Sequence, residues 1–146
     1  MSDCLFCKIV AGAIPCTRVY EDAAVLSFLD IGPISPGHTL LIPKKHYGSI
    51  AEMPADEVAA LFRPVAALAA AVQAAVGAEG INVLQNNGPS AGQVVPHLHI
   101  HLIPRWAGDG LGFRWPARKA DPAVLAQQAG KIRRGLGACA AGEGHR

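Results

Sequence analysis

His97, His99 and His101 alternate with Leu98, Ile100 and Leu102 in residues 96–103. If that run is a β-strand, its period of two sends the imidazoles to one face and the aliphatic side chains to the other. Imidazole, with an ordinary pKa of about 6.5, is largely neutral at pH 7, where it can attack an electrophile or exchange a proton. Three imidazoles side by side are costly to bury unless each has a hydrogen-bond or metal partner. The strict alternation therefore reads as a functional face rather than as three solvated side chains. Cys4 and Cys7 have the C-x-x-C spacing that lets two thiolates reach one Zn²⁺ from a first helical turn. On spacing alone a disulfide or plain packing of two small thiols stays open. Residues 86–93 carry Gly88 and Gly92, where backbone N–H groups can approach an anion, and Gln93 adds an amide. Taken alone, such a loop is an ordinary hairpin connection. Asp30, ahead of Gly32-Pro33, is either a carboxylate free to accept two donors or a turn residue.

These groups need elements to hold them. Residues 4–10 suit a short helix, ended by Gly12 and Pro15. Residues 19–21 suggest a brief strand, and 25–30 with 39–42 read as a strand pair, separated by the chain-breaking run 32–37. The Ala-rich segment 55–76 predicts a long buried helix, kinked at Pro64 and capped at Gly77. Residues 81–85 and 97–103 predict two more strands around the Gly-bearing loop. A last helix is expected over 121–134, with Asp121-Pro122 as cap and first turn and a frayed tail from Gly135. Strands interrupted by one long helix indicate an α+β domain with a mostly antiparallel sheet.

At 146 residues, with 51% hydrophobic and 16% charged residues, the chain is long enough for one sizeable core and far from the composition of disorder. A net charge of +2, with no long basic stretch, argues against nucleic acid as a partner. Residues 55–76 carry Arg63, Pro64 and Gln73, which makes a poor membrane span and points to no membrane partner. No signal sequence precedes Cys4, so a cytoplasmic location is expected, and Cys16 and Cys139 are expected to be ordinary thiols.

Residues 97–103, read with Gly92-Gln93 before them and with the run Gly37-His38-Thr39-Leu40-Leu41-Ile42-Pro43-Lys44-Lys45-His46, resemble the histidine triad (HIT) family of nucleotide hydrolases and transferases. Phe28-Leu29-Asp30-Ile31 and Asn86 also match, and the resemblance covers residues 4–116. It implies a single domain over residues 1–146, with a five-stranded mostly antiparallel sheet, one long and one short helix, and a homodimer. In that dimer the sheets join and the long helices pair, with the Ala-rich run 66–75 allowing close approach. The resemblance assigns His99 as the nucleophile toward the α-phosphorus of a purine nucleotide, through a covalent nucleotidyl-histidine. It assigns His101 as a donor to a phosphate oxygen or the leaving group, and His38 as support for the first triad position, His97. Asp30 would hold the ribose hydroxyls, Asn86, Gly92 and Gln93 would border the phosphate, and Phe6, Ile9, Ile14, Phe28 and Ile31 would form the base slot. Some bacterial members, and the related uridylyltransferase branch, complete a structural Zn²⁺ site with two histidines, here His46 and His97, beside Cys4 and Cys7. Val94 stands where many phosphoramidase-branch members carry a hydroxyl, and Trp115 matches an aromatic that in relatives reaches the active site or dimer surface, though an ordinary packed Trp is the simpler reading. The implied activity is hydrolysis of nucleoside phosphoramidates or related nucleoside 5′-monophosphate derivatives. The alternatives are a dinucleoside polyphosphate hydrolase and a nucleotide-binding regulatory protein with vestigial hydrolysis.

Overall fold

The computed structural model describes residues 3–112 and 116–142, with side chains to residue 137. Its elements are α1 (Leu5–Val10), β1 (Arg18–Glu21), β2 (Val25–Leu29), β3 (Thr39–Pro43), α2 (Ala55–Phe62), α3 (Val65–Val76), β4 (Gly80–Gln85), β5 (Ile100–Arg105) and α4 (Pro122–Gly142). Short 3₁₀ turns occupy Ile50–Glu52 and Pro89–Ala91. The strands form one antiparallel sheet in the order β1-β2-β3-β5-β4, so the α+β expectation holds. β5 enters between β3 and β4, pairing Leu40 with His101 on one side and Leu84 with His101 on the other.

The pleat of β3 divides the core. Leu41 joins Val25, Leu61, Leu68, Val72, Leu98, Ile100 and Leu102 beneath α2 and α3. Leu40 and Ile42 join Phe6, Ile9, Leu26 and Phe28 beneath α1. All five residues of β3 are buried because both sheet faces are covered there.

The 55–76 segment is two helices rather than one kinked helix. Proline lacks the N–H needed for the ladder and crowds the preceding turn, so α2 stops before Arg63-Pro64 and α3 restarts after them. At the far end Gly77 takes φ +64°, donating to Ala74 O at 3.3 Å while Ala78 donates to Gln73 O at 3.0 Å, a Schellman closure that needs a left-handed residue. The segment is also less buried than expected. Leu61, Leu68 and Val72 pack on the sheet, whereas Ala66, Ala67, Ala70, Ala71, Ala74 and Ala75 are exposed, since the sheet can cover only one side of a helix.

The predicted strand 97–103 begins at Ile100 and runs to Arg105. The register of β3 against β5 ends at Leu41 and Ile100, and upstream of it the Leu98 N–H turns to Tyr47 O at 2.6 Å while the His97 N–H bonds to Val95 O at 2.9 Å. Only His101 of the three histidines therefore sits in the ladder.

The chain divides at Gly110 into two compact units. In the second, Asp121 starts α4 as expected, its Oδ1 accepting the Ala123 N–H at 2.8 Å and its carbonyl the Leu125 N–H at 3.1 Å. The helix continues through Gly135 and Gly137 to Gly142 instead of ending at Arg134. Six alanines in this helix offset its interior glycines Gly130, Gly135 and Gly137.

Candidate functional site

Two clusters of imidazoles meet across the face of the sheet that α1 covers. The first gathers Cys4, Cys7, His46 and His97, whose ligand atoms all lie within 4.8 Å of one another. Cys4 caps the start of α1 and Cys7 sits one turn on, while His46 and His97 come from the segments after β3 and before β5. The Sγ to Nδ1 distances are 3.5 Å (Cys4 to His97), 3.4 Å (Cys7 to His46) and 3.6 Å (Cys7 to His97), and the two Nδ1 atoms are 3.2 Å apart. A tetrahedral Zn²⁺ with Zn–S of about 2.3 Å and Zn–N of about 2.0 Å places sulfur and nitrogen ligands about 3.5 Å apart and two nitrogens about 3.3 Å apart. The quartet fits those edges. His97 Nε2–H donates to Pro43 O at 2.8 Å, which leaves its Nδ1 as a bare lone pair facing the other three donors. Burial holds its pKa below the ordinary histidine value, in keeping with a neutral ring.

The second cluster is His38, His99 and His101 beside Asp30. His99 donates its Nδ1–H to the carbonyl of His97 at 2.7 Å, so Nε2 keeps its lone pair. His38 Nδ1 accepts the Ile34 N–H at 3.4 Å, and its Nε2 donates to His101 Nδ1 at 2.9 Å. That leaves Nε2–H of His101 as a donor. The neighbouring rings thus take opposite tautomers, a nucleophilic lone pair on His99 and a donor on His101, with ring centroids 4.8 Å apart. Burial, with the positive charge of a protonated His99 or His38 opposing a second proton, pushes His101 down to about 4. Burial also lowers His38, against the pull of the Asp30 carboxylate 3.7 Å away. His38 was expected to support His97. It bonds His101 instead, because the antiparallel register opposes Leu40 to His101 and brings the start of β3 alongside that ring.

His99 and His101 open into a cavity of about 280 Å³, lined also by Phe6, Ile9, Ile14, Phe28, Asp30, Ile31 and Gly92, all expected. Val94, which the resemblance had singled out, lines it too, as do Leu5, Pro15, Cys16, Leu40 and Val95, which the sequence reading does not place there. Leu5, Pro15 and Cys16 adjoin expected positions, and Leu40 follows from the alternation of β3. Asp30 is a turn residue that also reaches the cavity. One oxygen accepts the Gly32 N–H at 2.8 Å, as in an Asx turn, and the carboxylate borders the cavity. Ile31 is 97% exposed, so it forms the rim of the slot rather than its wall.

The loop before the triad works differently from its expectation. Gln93 Oε1 accepts the Gly88 N–H at 2.7 Å and its Nε2 donates to Gly48 O at 2.8 Å, so the amide locks the loop to the segment after β3 and does not line the cavity. The N–H groups of Gly88, Ala91, Gly92 and Gln93 are all satisfied within the loop or by that amide. Among the described residues, those of Val94 and Val95 have no internal acceptor, and both residues line the cavity. Gly92 takes φ +87° with the Asn86 amide beside it, and Asn86 itself lies outside the lining. Trp115 lies outside the described residues.

Comparison with known proteins agrees with this geometry. Residues 11–108 match the HIT domain family. The chain is 48% identical over 120 residues to an adenosine 5′-monophosphoramidase of Schizosaccharomyces pombe, covering 82% of this chain and 87% of that protein. Its fold superposes on a crystal structure of a Streptococcus mutans protein with a TM-score of 0.89 at 46% identity, covering 93% of this chain and 87% of the other. It also superposes on a Zn-bound histidine triad family protein from Mycobacterium smegmatis, with a TM-score of 0.71 at 38% identity, covering 88% and 97%. The match spans well over half the sequence and includes all three alternating histidines, so the chain belongs to the HIT domain family.

Proposed function

We propose that this protein is a nucleotide hydrolase that cleaves nucleoside phosphoramidates, or related nucleoside 5′-monophosphate derivatives, through a nucleotidyl intermediate on His99. The observation that carries the reading is the pair of opposite tautomers on one cavity wall: a lone pair on His99 Nε2 and an N–H on His101 Nε2. In the first step Nε2 of His99 attacks the α-phosphorus, the bond from phosphorus to the leaving group breaks, and the departing amine carries off the bond pair and takes a proton from solvent. Water then attacks the phosphorus and gives up a proton to solvent, the P–N bond to His99 breaks with its electron pair returning to Nε2, and the nucleoside monophosphate leaves. His101 donates to a non-bridging oxygen on which negative charge grows, and His38 holds it in the donor tautomer. The free N–H groups of Val94 and Val95 serve the same oxygens. Asp30 takes the ribose hydroxyls, and the apolar slot of Phe6, Ile9, Ile14 and Phe28 takes a purine base.

Cys4, Cys7, His46 and His97 would hold a structural Zn²⁺ that cross-links α1 to the sheet. A homodimer is part of the same reading, supported by the exposed alanine face of α3 and by β4, an edge strand whose neighbour on one side is β5. The test is a substrate panel of adenosine and guanosine phosphoramidates against diadenosine polyphosphates, with alkaline-quenched mass spectrometry for a nucleotide adduct on His99. Turnover of phosphoramidates with the adduct supports the proposal. Turnover of the polyphosphates alone would move the assignment to a dinucleoside polyphosphate hydrolase, and binding without any turnover to a regulatory protein.

A further inference from the structure

The N-terminal segment stands between the two clusters. It supplies Leu5, Phe6, Ile9, Ile14, Pro15 and Cys16 to the cavity wall, and Cys4 and Cys7 to the quartet. The Phe6 ring is buried edge-on against Phe28 at 5.7 Å, against His97 at 5.8 Å and against His99 at 5.3 Å between centroids. One side chain therefore touches the nucleophile, a member of the quartet and the slot floor. We infer that Phe6 and α1 couple metal occupancy of the quartet to nucleotide binding in the cavity, so that each strengthens the other. This inference rests on the nucleotide-hydrolase reading above.

The energetics of α1 make the coupling. Six residues are too few for a helix to persist alone, and Cys4 gives no side-chain hydrogen bond to the helix start. The helix is held by two attachments, the burial of Phe6 and Ile9 in the core and the thiols at His46 and His97. When a cation sits among the four donors, the second attachment is a set of bonds spanning more than ninety residues of sequence. When none does, that attachment falls back to thiol–imidazole contacts of 3.4 to 3.6 Å, and the helix whose other face is the wall of the base slot is held less firmly. A base filling that slot presses Phe6 and Ile9 into the position in which Cys4 and Cys7 meet their partners. Linkage makes the effect reciprocal: the factor by which metal tightens nucleotide binding equals the factor by which nucleotide tightens the metal.

The experiment reads zinc transfer from the loaded protein to an excess of a chromophoric chelator, in the absence of ligand, with AMP, and with ribose 5-phosphate at matched occupancy. AMP should slow the transfer at least about tenfold, whereas ribose 5-phosphate, which has no base to press on Phe6, should slow it less than about threefold. In Phe6→Leu the two ligands should act alike. Equal slowing by both ligands in the unaltered protein, or none by either, overturns the coupling, because general stabilisation of the fold would not distinguish them. Calorimetric titration of AMP into loaded and chelator-stripped protein measures the same factor from the other side. Equal affinities in two folded forms overturn the coupling and leave the nucleotide reading standing, and absence of AMP binding to the loaded form overturns both. If stripping abolishes the circular dichroism of the fold, the chelator comparison decides alone.

Discussion

The two imidazole clusters share a residue type and a wall of the sheet, yet their hydrogen-bond logic is opposite. Around His46 and His97, four lone-pair donors converge with their acceptor sides inward, and the outer nitrogen of His97 is tied to Pro43 O. Such a set has the donor chemistry to close around a cation. In the other cluster, donors alternate with acceptors along a chain from the Ile34 N–H through His38 to His101, while His99 donates to the His97 carbonyl, so one nitrogen of His99 and one of His101 are left for a ligand. A histidine cluster binds metal when its lone pairs meet and does acid–base or nucleophilic chemistry when they are interleaved with protons. Here the residues separating the two outcomes are two apart in sequence, with the His97 carbonyl fixing the His99 tautomer.

The sharpest way to break that comparison is at the lone pair on His99. His99→Asn should lower phosphoramidate turnover by at least about a thousandfold, measured as kcat, while AMP affinity changes little because base and ribose contacts lie elsewhere. Turnover near the unaltered rate would show that the cavity cluster is not the chemical one.

On the other side, Cys4→Ser with Cys7→Ser should abolish the metal content expected of about one zinc per chain and lower the thermal midpoint, read by metal analysis and calorimetry. Zinc retained by that double variant would mean the convergent lone pairs are not the metal site.

A smaller effect tests Asp30, which serves both a turn and the cavity. Asp30→Ala should weaken AMP binding about tenfold to a hundredfold, as expected for loss of charged hydrogen bonds, and should leave 2′,3′-dideoxy-AMP nearly unaffected. Equal losses would reduce Asp30 to its bond with Gly32.

The smallest effect concerns protons. His101 and His38 hold pKa values below their unfolded value of about 6.5, so the unfolded chain binds more protons than the folded one at acid pH. Their contribution to stability is complete above about pH 6.5 and is lost as pH falls through the folded value of about 4 for His101. Thermal midpoints measured across that range should fall less steeply in His101→Asn than in the unaltered protein. Parallel curves would show that His101 is not held neutral by the fold.

Much of this molecule follows from local pattern. The C-x-x-C spacing, the alternation of histidines with aliphatic residues, the turn residues around each short apolar run and Gly77 after the alanine helix all rest on geometry within a few residues. They placed the strands and singled out Cys4, Cys7 and the three alternating histidines, whereas the cavity wall and the pairing of the two cysteines with His46 and His97 followed from the resemblance to the HIT family. The break between α2 and α3 was half legible, since Pro64 announces a disruption but not that the helix ends and restarts.

What only the tertiary structure decided is how each polar group is used. An imidazole has two nitrogens and its sequence neighbours assign neither. His38 serves His101 because β3 and β5 pair with Leu40 against His101, a contact across 63 residues. Gln93 is consumed by Gly88 and Gly48 rather than turned to the cavity, and the strand holding the triad starts three residues late because Leu98 bonds to Tyr47. Local sequence sets which face a side chain takes, because backbone period is a local property. Hydrogen-bond partners, tautomers and exposure are set by segments far away in the chain, whose distances come into being only when the sheet closes.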